Sequence, residues 1–461
     1  MLPMLWLSIV LAPLLDVGAF LRLDQYLFPV LFVISLLHMR RRRADSRGAA
    51  LVLMFAVLSV IVAGYGSLVT SEWNLQFLFK WPALFAFNTL ACFTVIWWSN
   101  ERREDLLHRS LWWLQICLFV AGSIGLLQAL EHHNKLPTRG VTGVLNTFYP
   151  YYGELTDNAH MKADGNNMRT GGAGRITSVF DGHPILAGDF FAVCLILTLP
   201  LARGMTGCLL AAVPTLAMFL TLSRGSILAW MIGIFAYMGF LALRPGASKK
   251  TVRVFAQVVG VTVGLFAVTM FTPLGETILW RIEGTMETFD GTGVDDGRTD
   301  KVWPMVIAAL DRSTLAQWVF GFAHRYDGPA DSQYLFTLIN SGLSGVFLLV
   351  VFHFQLMRLG LRYSRLSNIN GRYAEEGIAF AAAIVALLAI YTVHPALQNR
   401  RLLSAFITIA MLVPHVPKYL RTRFSSERTH DRQNRTPHDG ASARRRPHFP
   451  QRVRQPAAGR V

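Results

Sequence analysis

The chain has 461 residues, of which 52% are hydrophobic and only 16% are charged. Soluble globular proteins carry roughly 25% charged residues, so this composition argues against a soluble domain and indicates helices that face lipid or one another. The formal net charge of +16 does not indicate a nucleic-acid partner, because the segment 418–461 alone holds twelve Lys or Arg against three Asp or Glu. We expect this segment to be a basic, disordered cytoplasmic tail behind a transmembrane domain over 1–417.

Long apolar runs alternate with short polar segments along most of the chain. Since a helix needs about 20 apolar residues to cross a bilayer, these runs predict about twelve transmembrane spans. The predicted spans cover residues 4–20, 25–38, 49–68, 77–98, 111–130, 184–203, 207–222, 225–243, 254–272, 333–357, 376–393 and 402–417. The sequence therefore predicts an all-α, polytopic membrane protein with a single transmembrane domain.

Basic residues follow every second predicted span, and this pattern indicates the orientation of the chain. Clusters of Lys and Arg occur in the segments 40–43, 102–109, 244–253, 358–372 and 418–461. Basic loops stay in the cytoplasm, so a count of twelve spans leaves both termini cytoplasmic. Two long loops, 131–183 and 273–332, then lie on the opposite face of the membrane, and long loops commonly carry function.

Three arginines fall on this predicted face, opposite the basic loops. They are Arg175, Arg224 and Arg298, in the segments GGAGRITSVFDGHP, LTLSRGS and DDGRTDKVW. Arginine is costly near a bilayer, and its planar guanidinium matches phosphate oxygens with two parallel hydrogen bonds. Arg224 also opens an apolar run, where the N–H groups of a helix N-terminus favour an anion. The pattern indicates a site for a phosphate-bearing, lipid-linked substrate.

Each of these arginines also has a simpler interpretation. Arg224 could snorkel from the tip of a helical hairpin to the membrane interface. Arg175 and Arg298 could each pair with an aspartate of the same loop. The segment HPALQNRR contributes Arg400 as a fourth candidate phosphate ligand, although its arginines could equally hold the chain at the interface.

Polar side chains near these arginines are candidates for the remaining chemistry. Asp331, at the start of the tenth predicted span, and His324, earlier in the same loop, are the candidate general bases. Asp331 could instead cap its helix, and a lone loop histidine could be incidental. His183, Ser223 and Tyr334 are candidate substrate contacts. The acidic residues lack the spacing of a calcium loop, so we expect neither a metal nor a cofactor.

The chain resembles the O-antigen ligase/O-antigen polymerase superfamily of bacterial inner-membrane glycan enzymes. The resemblance spans residues 170–350 and rests on RITSVFDGHPILAG, TLSRGSILAWMIG, GRTDKVW and FGFAHRYDGPADSQYLFTLINSGLSG. It implies the helical fold of glycosyltransferases with lipid-linked donors (GT-C type) and metal-independent transfer of a glycan from undecaprenyl diphosphate at the periplasmic face. It also implies that Arg175, Arg224 and Arg298 hold the diphosphate, because they match arginine positions of its motifs.

One departure from the ligase pattern favours a particular activity. Asp331 and Ser332 stand where ligases typically carry a histidine and an asparagine. We therefore expect a polymerase that joins undecaprenyl-diphosphate-linked oligosaccharide repeat units into an exopolysaccharide, a capsule or an O-antigen, with a chain-length regulator and a flippase as partners. The alternatives are a ligase that transfers the glycan to lipid A core or to protein, and a polysaccharide flippase.

The predicted orientation can be tested with single cysteines and a membrane-impermeant thiol reagent in intact spheroplasts. Cysteines at Ser46, Ser248 and Ser425 should resist the reagent, because basic loops stay in the cytoplasm. Cysteines at Thr156 and Thr292 should react. Labelling at Ser248 but not at Thr292 would invert the predicted orientation.

Overall fold

The computed structural model describes most of the helical part of the chain. The described residues are 2–11, 14–16, 20–22, 47–70, 106–132, 140–141, 144–145, 176, 178–180, 184–202, 204–243, 256, 260, 264, 267, 271, 303–321, 332–365, 371–394 and 396–413. By contacts within the chain, Met1–His415 form one unit and Val416–Val461 form a second. The second unit, which contains the basic tail, lies outside the described residues.

The described residues form helices apart from one short β-ribbon and the turns. In chain order the elements are α1 (Leu2–Leu11), β1 (Leu14–Asp16), β2 (Phe20–Arg22), α2 (Arg47–Thr70), α3 (Leu106–His132), α4 (Pro184–Thr198), a 3₁₀ turn (Leu199–Leu201), α5 (Gly204–Leu220), α6 (Arg224–Ala242), α7 (Trp303–Asp311), α8 (Leu315–Phe320), α9 (Gln333–Arg365), α10 (Gly371–Val393), a second 3₁₀ turn (Ala396–Gln398) and α11 (Arg400–Leu412).

Six of the described helices are long and apolar enough to cross a membrane: α2, α3, α4 with its 3₁₀ extension, α6, α9 and α10. The shorter helices α5 and α11 are also apolar. All eight coincide with predicted spans, so the helical membrane-protein class is confirmed. The predicted spans 25–38 and 77–98 lie outside the described residues, and only isolated positions of 254–272 are described.

The first predicted span, 4–20, differs from the structure. Helix α1 ends at Leu11, and Leu14–Asp16 then pairs antiparallel with Phe20–Arg22. The sequence contains the reason for this helix end. Pro13 lacks an N–H group, and its ring would clash with the preceding turn if the helix continued through it. Apolar composition alone does not reveal this break, which is why the run was predicted as one helix.

Helix α4 lies at the centre of the described bundle. Of its apolar window, 83% is buried, against 33% for α2 and for α9. It contacts α3, α5, α6, α10 and α11. The outer helices instead expose large apolar side chains, such as Met54, Ile61 and Phe347. Such a surface suits contact with lipid or with further helices.

Glycines allow two close approaches around α9. A Cβ atom at Gly377 of α10 would lie 2.6 Å from the carbonyl oxygen of Gly360, so these two backbones touch where the helices cross. Gly342 has a φ of 62° and interrupts the helical geometry of α9. A side chain at Gly342 would overlap the backbone of Val319, which lies in α8. Small residues at such crossings are typical of helices packed in a membrane.

Candidate active site at the start of helix α6

A short turn joins α5 to α6 and determines where Arg224 lies. Leu222 occupies the left-handed region with a φ of 53°, a conformation that few residues other than glycine adopt. Its side chain is buried, and the Thr221 hydroxyl donates a hydrogen bond to the carbonyl of Met218 at 2.7 Å. The buried Leu222 side chain and the Thr221 hydrogen bond both stabilise the turn. Helix α6 begins at Arg224, directly after it.

Ser223 stands at the N-cap of α6 but does not cap it with its side chain. Its hydroxyl lies 2.7 Å from the hydroxyl of Ser226 instead. Ser226 in turn donates to Oδ1 of Asp189 at 2.6 Å. The first N–H groups of α6 are thus not used by the N-cap side chain, which is the arrangement expected where a helix N-terminus binds an anion.

Asp189 is a fully buried carboxylate in the second turn of α4. Its Oδ1 atom also accepts a hydrogen bond from Nδ1 of His394, at 3.1 Å, and the His394 side chain is only 8% exposed. Within the described part of the chain, Oδ2 of Asp189 has no hydrogen-bond partner. The carboxylate therefore joins α4, the start of α6 and the end of α10, and its negative charge is favourable near the N-terminus of α6.

Two glycines let these three elements come so close. A Cβ atom at Gly225 would lie 2.6 Å from Cγ2 of Val393 and 3.0 Å from Cε1 of His394. A Cβ atom at Gly188 would lie 2.8 Å from the Ser226 hydroxyl oxygen. Larger residues at either position would push the Arg224 turn away from the Asp189–His394 pair.

The HPALQNRR segment packs into the bundle from the side of α11. Asn399 caps α11, because its Oδ1 accepts from the N–H of Leu402 at 3.2 Å, and its Nδ2 donates to the carbonyl of Leu186 at 2.9 Å. Arg401 is 1% exposed. It donates to the carbonyl of Val10 and lies over the ring of Phe180 at 5.4 Å. Arg401 is therefore an interior residue and not an interfacial one.

The structure describes some of the predicted site residues and not others. Ser223 and Arg224 occupy the predicted helix start, and Arg224 is partly buried. The Tyr334 hydroxyl donates to the carbonyl of Leu388 at 3.2 Å, so this tyrosine contacts α10. Arg400 begins α11, but its side chain lies outside the described residues, as do Arg175, His183, Arg298, His324 and Asp331.

Sequence reasoning did not assign the Asp189–His394 pair. The signal was an aspartate inside the apolar run ILAGDFFAVC and a histidine directly after another apolar run. Ionisable residues within or beside membrane spans are rare and usually functional. Nothing in the sequence indicates that these two residues, 205 positions apart, meet each other.

An apolar cavity of about 80 Å³ lies between α2 and α9. Its lining includes Phe55, Leu348 and Leu349, and it also reaches Gln333 and Leu397. The side-chain oxygen of Gln333 accepts from the N–H of Leu397 at 3.1 Å, so this cavity borders the segment that follows His394. Among the described residues there is no group of three or more His, Cys, Asp or Glu that could hold a metal ion.

Neither a search against models of protein families nor a search among curated proteins finds a match to this chain. The chemistry is therefore inferred from the side chains of the site. The described residues bring together an arginine, a helix N-terminus and an imidazole held by a carboxylate. Such a set can bind an anion and transfer a proton at neighbouring positions.

The close packing at Gly225 can be tested by Gly225→Ala, with Gly239→Ala of the same helix as control. A Cβ atom at Gly239 would meet nothing within 4 Å. Both variants gain helix propensity, but overpacking costs about 1–3 kcal/mol, so only Gly225→Ala should unfold at a lower temperature. Thermal unfolding of the purified proteins in detergent would measure this. Equal midpoints for both variants would show that Gly225 is not tightly packed.

Proposed function

We propose that this protein is a metal-independent glycosyltransferase of the bacterial inner membrane. It joins undecaprenyl-diphosphate-linked oligosaccharide repeat units into a surface polysaccharide at the periplasmic face. The observation that carries the proposal is the convergence of Arg224, the N-terminus of α6 and the Asp189–His394 pair at one end of a bundle of membrane-length helices. Glycosyl transfer from a lipid diphosphate requires such groups, namely positive charge near the phosphates and a proton acceptor near the attacking hydroxyl.

The start of α6 suits the leaving group of this reaction. When the bond between the anomeric carbon and the diphosphate breaks, negative charge grows on the phosphate oxygens. The Arg224 guanidinium and the N–H groups of α6 offer positive charge that is already in position, which lowers the barrier without a metal. The negative charge of Asp189 reduces this positive potential, but hydrogen bonds from Ser226 and His394 disperse that negative charge.

The topology of the described helices supports a common periplasmic end. Gly225 meets Val393, so α6 begins beside the end of α10. The Ser332 hydroxyl donates to the carbonyl of Tyr391 at 2.9 Å, so α9 begins at that end too. The chain must then cross the membrane an even number of times between Arg224 and Ser332.

The apolar cavity supports a lipid-linked substrate. It lies between two helices of membrane length, is lined mainly by apolar side chains, and reaches the segment that follows His394. A cavity of about 80 Å³ is smaller than the roughly 300–1,000 Å³ of most ligand pockets, so it would hold only a short part of a prenyl chain whose diphosphate lies at the end of the bundle. The periplasmic loops that carry Arg175 and Arg298 would supply further contacts to the diphosphate.

The decisive variant is Arg224→Ala, with Arg224→Lys as the conservative change. Lysine keeps the charge but loses the planar fork, so it should reduce polymer formation strongly, and alanine should reduce it about 10²–10³-fold. Polymer formation would be measured by gel with purified protein and an undecaprenyl-diphosphate-linked repeat unit. Arg362→Ala is the control, because Arg362 is exposed near the far end of α9.

Three results of this assay would be decisive. Loss of polymer in Arg224→Ala but not in Arg362→Ala, at equal protein levels, supports the proposal. Equal activity of both variants would leave Arg224 as an interfacial residue. If the wild-type protein joins no repeat units but transfers finished glycan to lipid A core or to protein, the protein is a ligase.

A further inference from the structure

We propose that His394, positioned by Asp189, takes the proton from the sugar hydroxyl that attacks the donor. This inference rests on the proposed function and assigns the general base, for which the sequence suggested Asp331 or His324. It is carried by the buried hydrogen bond between Nδ1 of His394 and Oδ1 of Asp189, at 3.1 Å, beside the first turn of α6.

The carboxylate determines which nitrogen of His394 can act as a base. An ionised carboxylate only accepts hydrogen bonds, so Nδ1 of His394 carries the hydrogen and donates it to Asp189. The neutral imidazole then has its lone pair on Nε2. Among the described residues, Asp189 is the one side chain that hydrogen-bonds the His394 ring. Nε2 is therefore the ring nitrogen that could accept a proton from a substrate hydroxyl.

The position of the ring relative to α6 suits proton transfer next to the diphosphate site. A Cβ atom at Gly225 would lie 3.0 Å from Cε1 of His394, and Cε1 is the ring carbon bonded to both nitrogens. Gly225 directly follows Arg224 at the start of α6. The His394 ring therefore lies against the residue that follows Arg224, the proposed phosphate ligand. An acceptor hydroxyl near Nε2 would approach the anomeric carbon of a donor held by Arg224.

The hydrogen bonds around Asp189 hold the imidazole in place. The Ser226 hydroxyl donates to the same carboxylate oxygen as His394, and Ser223 lies behind Ser226. Asp189 is fully buried, so its interactions act at low dielectric and are strong. Asp189 does not contact substrate in this scheme. It is a positioning residue that selects the tautomer and stabilises the imidazolium that forms.

The transfer step forms one bond at the anomeric carbon and breaks another. The oxygen of the acceptor hydroxyl forms a bond to the anomeric carbon, and its proton passes to Nε2 of His394. The bond between the anomeric carbon and the diphosphate oxygen breaks, and undecaprenyl diphosphate leaves with the electron pair. The imidazolium next to Asp189 afterwards returns its proton to water or to the released diphosphate. No oxidant, metal or further reactant is needed.

A purely structural role for the pair is the alternative that the experiment must exclude. The chain provides a matched control in His108 of α3, whose Nδ1 lies 2.9 Å from Oε1 of Glu376 of α10. That second histidine–carboxylate pair also joins two helices, but it contacts the start of α10, whereas His394 follows the end of the same helix. If such pairs only hold helices together, His394 and His108 should behave alike.

The test compares His394→Ala, His394→Gln, Asp189→Asn and His108→Ala in purified full-length protein. Polymer formation from an undecaprenyl-diphosphate-linked repeat unit reports transfer, and native mass spectrometry with undecaprenyl diphosphate reports binding. We expect His394→Ala to lose transfer by about 10²–10⁴-fold and to keep binding. Added imidazole should restore part of its activity. His108→Ala should keep both transfer and binding.

The other two variants separate a base from a structural link. Glutamine at 394 can still donate a hydrogen bond to Asp189 but cannot take a proton, so His394→Gln should be as inactive as His394→Ala. Asparagine at 189 can donate to Nδ1 and so place the hydrogen on Nε2; kcat should then fall with KM nearly unchanged. Wild-type transfer by His394→Gln, or normal transfer by His394→Ala, would overturn the proposal. If wild-type protein itself joins no repeat units, the proposed function fails instead.

Discussion

The hydrogen bonds of one buried carboxylate organise the end of the bundle on which the site depends. Asp189 sits fully buried in α4, the helix at the centre of the described structure. A buried carboxylate costs several kcal/mol unless donors satisfy it. Those donors come from Ser226 at the start of α6 and from His394 after α10. The two hydrogen bonds to Oδ1 of Asp189 therefore require α4, α6 and α10 to place their ends within hydrogen-bond distance.

The glycines near Asp189 follow from the same requirement. Hydroxyl and imidazole groups can reach the carboxylate only if the backbones of α4, α6 and α10 approach closely, which excludes side chains at Gly188 and Gly225. Arg224 begins α6 next to Gly225, and the packing of Gly225 against Val393 and His394 fixes the position of this helix start. Arg224, the proposed phosphate ligand, and His394, the proposed base, thus follow residues of one set of contacts, and a disturbance of that set should affect both.

Two histidine–carboxylate pairs occur among the described residues, and they differ in their surroundings. His108 with Glu376 and His394 with Asp189 use the same ring nitrogen and similar distances. The first pair lies at the starts of α3 and α10, whereas the second lies at the other end of α10, beside the start of α6 at Arg224. The surroundings of each pair, and not the pairing itself, therefore distinguish a candidate catalytic group from a link between helices.

The sequence by itself determined the helical membrane-protein class, the apolar helices and the position of Arg224 at the start of one of them. These properties depend on local composition and on periodicity, so eight predicted spans recur as apolar helices and Arg224 begins one of them. Local patterns failed where a single residue interrupts an apolar run, as at Pro13 after α1. Only the tertiary structure decided that Asp189 meets His394 and that Arg401 is buried beneath Phe180. Contacts between residues so far apart in the chain depend on which helix faces pack together, and no local pattern of residues encodes that choice.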